Sequence, residues 1–502
     1  MAGWPGAWRS TRPHPFCRAS PRNPNSSCKT PPDFASGRDR RARRMRVTIR
    51  TTLAATCLAI GWLLIPVTAS ADRLSDALAD AYRNSDLLEQ NRYLLRLRDE
   101  GVAQQVAGLR PVISFMASSR WDIPADRQTD RISLQAEMLL YDGGGRRLLR
   151  DAAQETVLAT RQSLVGLEQQ VLLDAVTAYM QVWRDIQVVS VRESNVRVIT
   201  QQLRAAEDRF EVGAATRTDV AQAEAQLAQA RGALVAAQGN LMISRELFTI
   251  AVGRTPNGLA GPGAMPSLPA TQAEAEAIAR QSHPSILSLR HGVQSDQLTL
   301  AAARSDYGPQ ISLNANTGFD PAPSASGEGS TSITLQLTQP LYQGGRLTSS
   351  ERIALATLHA TEAELNQATR QVLQGIGNAF AQIRIASASI ETSRQQIRAS
   401  RLAFEGVQEE ASLGARTTLD VLDAEQTLLE ARIGEIEAQA SLYTASYRLL
   451  AAMGLLTVEH LGLNVPEYDT TAYYNAVSNG PARGLSVQGD RLDAVLDRLG
   501  RE

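Results

Sequence analysis

One stretch of this chain returns almost intact 201 residues downstream (414 minus 213). Gly213-Ala214-Ala215-Thr216-Arg217-Thr218-Asp219-Val220 recurs as Gly414-Ala415-Arg416-Thr417-Thr418-Leu419-Asp420-Val421. The same offset carries Leu140-Tyr141-Asp142-Gly143-Gly144 onto Leu341-Tyr342-Gln343-Gly344-Gly345, and Gly253 onto Gly454. A single inserted residue in a long packed helix would rotate every later side chain by about 100°. A register held this far therefore requires two copies of one long structural unit. Its period lies well outside the roughly 20–50 residues of stacked solenoids. The chain reads as a duplicated rod.

Composition agrees with slim helices. Aromatic residues make up 5% of the chain, and Ala, Leu, Gln and Arg dominate between the repeated motifs. Such sequence suits helices packed side by side better than a compact core. Leu164, Leu167, Val171, Ala175, Ala178, Val182, Ile186 and Val189 step by three and four, which is a coiled-coil seam. A formal net charge of −1 gives no electrostatic case for binding nucleic acid.

Cys17, Cys28 and Cys57 all precede residue 72. Met45 to Arg50 is basic, Leu53 to Val67 is mostly apolar, and Ala69-Ser70-Ala71 is an A-x-A cleavage site. This predicts a Sec signal peptide cleaved after Ala71, with residues 1–44 an over-extended start. A signal anchor with a basic tail is one alternative; a lipoprotein through Cys57 is another, against which stand Thr56, a poor lipobox residue, and the site's place inside the apolar region. The exported chain then lacks cysteine, and with it disulfides and thiolate metal sites. Beyond residue 71 no apolar run reaches the length of about 18 residues that suggests a membrane helix. Such a chain is either soluble or crosses a membrane as a β-barrel.

The expected organisation is a first repeat over 72–253, a Pro- and Gly-rich linker over 254–271, a second repeat over 272–463 and an irregular tail over 464–502. In each repeat the period changes from about 3.6 to 2 and back. The hairpins are expected at 111–141 and 309–342. In the first, Ile132, Leu134, Ala136, Met138 and Leu140 alternate with Ser133, Gln135 and Glu137, after a loop from Ile123 to Thr129. In the second, Ile333, Leu335 and Leu337 alternate with Thr334, Gln336 and Thr338.

Strands of about ten residues with one apolar face match a tilted membrane strand; soluble hairpins are the alternative. Four strands cannot close alone, since the smallest membrane barrels have about eight. Three chains would supply twelve. Long helices at 146–212 and 347–413 would each span roughly 100 Å and end at Gly213 and Gly414. Helices at 217–252 and 417–453, and those near 74–109 and 272–305, would span roughly 50 Å each. A pre-hairpin helix stacked on a post-glycine helix thus matches one long helix.

This pattern resembles the TolC family of outer-membrane efflux proteins. The likeness runs from residue 72 to about 463 and is most specific at Leu341-Tyr342-Gln343-Gly344-Gly345 and at the turn Gly414 to Asp423. The resemblance implies a mixed α+β membrane protein: a long α-helical coiled-coil tunnel and a twelve-stranded β-barrel shared by a homotrimer. The barrel would sit in outer-membrane lipid. The turns at Gly213 and Gly414 would form a periplasmic tip that docks an adaptor (membrane-fusion) protein. An inner-membrane RND-type pump or ABC exporter would supply the cargo, small molecules or proteins.

By the same resemblance Asp420 and Asp423 point into the tunnel at its narrowest point, as two rings of three carboxylates. Such rings attract cations. The alternative is a helix N-terminal aspartate favoured by the macrodipole. That alternative weighs more on Asp420, whose slot is filled by Asp219 in the first copy; Asp423 aligns with Gln222. Arg416 matches a family arginine that ties neighbouring helix pairs shut, with Thr218 and Asp219 matching its partners. Ala411 stands where the family often has a tyrosine, and Arg217 adds a second cation beside Asp219.

No enzyme is expected. The histidines are scattered, no Gly-x-Ser-x-Gly occurs, and Gly143-Gly144-Gly145 lacks the Lys-Ser/Thr of a nucleotide loop. No cofactor and no catalytic residue are implied. The competing reading is a periplasmic coiled-coil tether that forms no channel.

Overall fold

The computed structural model describes residues 72–319, 329–482, 484 and 486–499. The expected leader with its three cysteines and the hairpin loop at 320–328 lie outside the described residues. In chain order the first copy is α1 (Leu74–Asn84), α2 (Asp86–Ala107), β1 (Val112–Asp122), β2 (Arg127–Tyr141), α3 (Gly145–Glu211) and α4 (Arg217–Val252). The second copy is α5 (Gln272–Ser282), α6 (Pro284–Ser305), β3 (Gln310–Phe319), β4 (Ser330–Thr338), α7 (Arg346–Ser412) and α8 (Thr418–Met453). Two short helices follow, α9 (Ala472–Val477) and α10 (Val487–Leu499).

Where the sequence pattern suggests one helix before each hairpin, the structure has two. Ser85 leaves the helical region (φ −77°, ψ 107°) and its hydroxyl caps α2 by accepting from Leu88 N. In the second copy the break falls at His283, because Pro284 has no N–H to continue α5 and disfavours helix at the residue before it. Each break lies against the end of a post-glycine helix. Asn84 Nδ2 donates to Val252 O (3.1 Å), and Ser282 Oγ donates to Met453 O (2.8 Å). Gly454, at φ +81°, sits so close that a Cβ would come within 2.7 Å of Ser282 O. In this way the end of α4, of 36 residues, meets the end of α1, where α2, of 22, begins beside the 67 residues of α3.

The four strands form one antiparallel sheet in the order β1-β2-β3-β4, so β2 and β3 join the two copies. Register brings side chains of like character together in the middle of the sheet. Ile113, Ala136, Ala315 and Ile333 form one row on one face; Ser114, Gln135, Asn316 and Ser332 form the next row on the other. The first hairpin runs further than its sequence suggests. Gln128 pairs with Trp121 and Arg127 with Asp122, leaving a four-residue turn whose Asp126 has φ +44°. Asp tolerates that conformation better than most residues. β1 and β4 are exposed along their full length, including Phe115, Ile333, Leu335 and Leu337.

The long helices lie side by side in the order α4-α3-α8-α7. Small side chains such as Ala175, Ala178, Ala223 and Ala230 are buried between them, which lets the helices approach closely. The largest apolar cluster lies where the broken helices meet the rods and includes Leu78, Leu88, Leu172, Tyr179, Phe248, Ile376 and Leu449. No helix among the described residues is long and apolar enough to cross a membrane.

After α8 the chain returns along α2. Arg92 stacks over Tyr82 and Tyr468 (5.3 and 4.9 Å), Arg96 over Tyr93 and Tyr473 (5.1 and 5.5 Å), and Arg161 of α3 over Tyr474 (5.1 Å). Tyr473 also donates to Glu100 (2.7 Å), and Arg110 donates to the carbonyls of Asn479 and Gly480. This seam of cation–π contacts fastens the segment from Tyr468 to Gly480 onto the rod.

Candidate functional site at the glycine turns

The two turns at the end of the rods are near replicas. Gly213 (φ +75°) and Gly414 (φ +79°) take the left-handed conformation that ends α3 and α7. Ala214 N then donates to Arg209 O (2.7 Å) and Ala415 N to Glu410 O (2.9 Å). These are the closing bonds of a Schellman C-cap. Two residues later the next helix starts on a capping box. Thr216 Oγ1 accepts from Asp219 N (3.3 Å), and Asp219 Oδ2 accepts from Thr216 N (2.9 Å). Thr417 and Asp420 repeat this at 3.3 and 2.9 Å.

These bonds set the electrostatics of the turn. The Thr216 and Thr417 hydrogen bonds hold the carboxyls of Asp219 and Asp420 below the usual carboxylate range. Both are therefore fixed anions at helix N-termini, where the macrodipole favours them. Asp420 is half-buried and spends one carboxylate oxygen on its own cap. Asp423, one turn along α8 on the same face, is exposed; its carbonyl accepts from Thr427 Oγ1 (2.9 Å). Asp420 has a part in folding the turn, and Asp423 is the freer charge.

Within the chain, Arg416 does not reach Asp219. Its Nε donates to Glu410 Oε2 at 2.8 Å, with both side chains about half exposed. Such exposed pairs, screened by solvent, add little to stability. Asp219 is engaged by Thr216, Thr218 is exposed, and Ala411 is buried. Gly213 and Gly414 lie at the turns, with Phe210, Val212 and Leu413 exposed beside them. Among the described residues no group of three or more His, Cys, Asp or Glu side chains is placed to hold a metal ion. A ring of Asp423 side chains would need several chains.

Two residues near the turn were not marked by the sequence reading. Asn195 of α3 and Glu425 of α8 are 3% and 5% exposed, and Asn195 Nδ2 donates to Glu425 Oε1 at 3.3 Å. A signal was available, because Glu425 interrupts the apolar face Val421, Leu422, Leu428 and Leu429.

Comparison with known proteins bears on the family and the fold. The family model described as outer membrane efflux protein matches residues 77–254 and again 277–455, once per copy. The outer membrane efflux protein BepC of Brucella suis biovar 1 (strain 1330) is 36% identical over 445 residues, covering 87% of this chain and 98% of BepC. The outer membrane protein TolC of Escherichia coli (strain K12) is 26% identical over 388 residues, covering 73% of this chain and 76% of TolC. Among solved structures, CusC, described in connection with transmembrane channel formation, superposes with a TM-score of 0.70 at 18% identity. That match covers 76% of this chain and 92% of CusC.

Proposed function

Because the chain belongs to the outer membrane efflux protein family, we propose that three copies assemble into one export duct, with the glycine turns as its inner mouth. The protein is an outer-membrane efflux channel. One observation carries the trimeric reading. The sheet has a continuous apolar face and two exposed edge strands, and four strands cannot close on themselves. Pairing β1 of one copy with β4 of the next removes both edges and gives twelve strands. The flanks of the helical layer support this ring. α4 exposes Val235, Met242, Ile243 and Ile250, and α7 exposes Ile353, Ile385 and Leu402.

In this reading Asp423 lines the mouth as the main selectivity carboxylate, and Asp420 adds charge while capping its helix. Together they favour cations by local field. Arg416 meets Glu410 within its own chain, so a link to Thr218 and Asp219 is assigned between neighbouring subunits. There a bidentate bond could hold the mouth shut. The exposed apolar residues at the turns suit docking of a periplasmic adaptor, which couples the duct to an inner-membrane RND-type pump or ABC exporter. The duct itself is assigned no chemistry.

Planar-bilayer conductance of the exported chain tests this. Small cation-selective openings should be blocked by a trivalent cation on the tip side, and Asp420→Ala/Asp423→Ala should abolish the block. A folded trimer that conducts nothing would overturn the duct. Block that ignores the double substitution would overturn the carboxylate assignment.

A further inference from the structure

The duplication provides an internal control for the buried pair near the turns. At the 201-residue offset, Glu425 is the counterpart of Glu224, and Asn195 is the counterpart of Gln396. Glu224 and Gln396 are exposed, as polar residues on long helices usually are. Their equivalents are both buried, and they meet where the first copy's α3 packs against the second copy's α8. The surroundings are apolar: Ile199, Ala206, Ala223, Leu227 and Leu422 form the adjoining cluster. Burial pushes the Glu425 carboxyl up, while the Asn195 hydrogen bond and Arg432 draw it back.

The geometry points to Asn195–Glu425 as a pin that sets the rotation of α8 against α3, and so the angle at which Asp420 and Asp423 face the duct. This rests on the channel reading above. A single polar pair inside an apolar helix seam contributes little net strength but specifies one register, since any slip strands both groups without partners. Glu425 lies two residues beyond Asp423, about 200° around the helix. The pin and the exposed carboxylate therefore occupy opposite faces of one helical turn, and neither can rotate without the other. Among the described residues, other inter-copy side-chain bonds between helices, including Thr156–Ser295, Ser163–Ser288 and Glu155–His291, lie further from the turns. Arg416 gives no inter-copy restraint within the protomer, because it is held by Glu410.

Length and charge can be separated at Glu425. Glu425→Gln keeps the reach and an acceptor oxygen but removes the charge. Glu425→Asp keeps the charge but falls one methylene short of Asn195. With the full exported chain as trimer, closed-state conductance and amide hydrogen exchange across residues 410–430 are measured for both variants and for Asn195→Ala.

Glu425→Gln should stay within about 1.5-fold of the parent in both readouts. Glu425→Asp and Asn195→Ala should raise conductance and tip exchange at least threefold, with trimer yield unchanged. If Asn195→Ala yields no trimer, the Gln and Asp variants decide between themselves. An Asp variant indistinguishable from the parent overturns the pin. So does a Gln variant as leaky as the Asp variant, since keeping the reach and the acceptor oxygen would then not hold the seam. Should the parent trimer not conduct, the duct reading fails while the exchange measurement still decides the pin.

Discussion

At the scale of single residues, the two carboxylates at the mouth have unequal positions, and this makes them separable. Asp420 closes the capping box with Thr417, whereas the Asp423 carboxylate extends from the helix surface. Thr417→Ala removes a cap hydroxyl that accepts from Asp420 N, which typically costs about 1 kcal/mol of local stability. It should speed amide exchange over the first turn of α8 and leave cation selectivity nearly intact. Asp423→Ala should do the reverse, lowering selectivity severalfold with no change in exchange. Reversal-potential measurements beside exchange on the same two preparations check this, and equal effects on both readouts would show that the roles are shared. Asp420 was legible as a repeated helix-start residue because its motif occurs twice. The buried state of Glu425 was signalled only by its apolar flanks Val421, Leu422, Leu428 and Leu429; residue type alone did not mark it, because its equivalent Glu224 is exposed.

At the scale of elements, the joints between helices are the sensitive points. Gly454 ends α8 at positive φ with the Ser282 carbonyl against it, so Gly454→Ala meets both backbone strain and a close contact. Gly414 has positive φ but open space around its Cβ position, so Gly414→Ala meets only the strain, on the order of 1 kcal/mol. Thermal unfolding should drop by several degrees more for Gly454→Ala than for Gly414→Ala. Pro284 was a readable sign of the second joint, whereas Ser85 gave no comparable sign of the first.

The C-terminal segment supplies a pH test of another contact between elements. Asp99 of α2 is fully buried, and burial pushes its carboxyl up to about 6 against the pull of Arg161 and Arg96 and with a push from Glu100. A folded pKa above the unfolded value near 3.8 means that its stabilising contribution is complete below about pH 4. That contribution is lost as pH rises to about 6. Docking of Tyr468 to Gly480 on α2 should therefore tighten on acidification through this window. Asp99→Asn should flatten the dependence and strengthen docking at pH 7.5 by on the order of 1–2 kcal/mol. Limited proteolysis of the segment across pH 4–8 reads both effects. These contacts join residues some 370 positions apart, such as Tyr473 to Glu100, and no local periodicity announces them.

At the scale of the whole molecule, the fold class was readable because two independent periods agreed. The 201-residue repeat required long, in-register rods, and the switch to period two at Ile132 to Leu140 and Ile333 to Leu337 required strands between them. The pairing of β2 with β3 across the copies could not be read the same way, since both hairpins satisfy their local pattern without it. That pairing turns two hairpins into one wall with a single apolar face, and the last test belongs to that face. Leu335 lies in mid-β4 beside Leu313, in the row that includes Met138, whereas Gln336 lies opposite Ser312 on the polar face. If the apolar face meets lipid, Leu335→Arg places a charge near mid-membrane depth at a cost of roughly 2–4 kcal/mol, while Gln336→Arg faces the water-filled lumen at little cost. The expected outcome is loss of most heat-resistant trimer from the outer-membrane fraction for Leu335→Arg and near-parental trimer for Gln336→Arg. Equal tolerance of the two would mean that the sheet is not a membrane wall. The reverse order would mean that its faces are assigned the wrong way round.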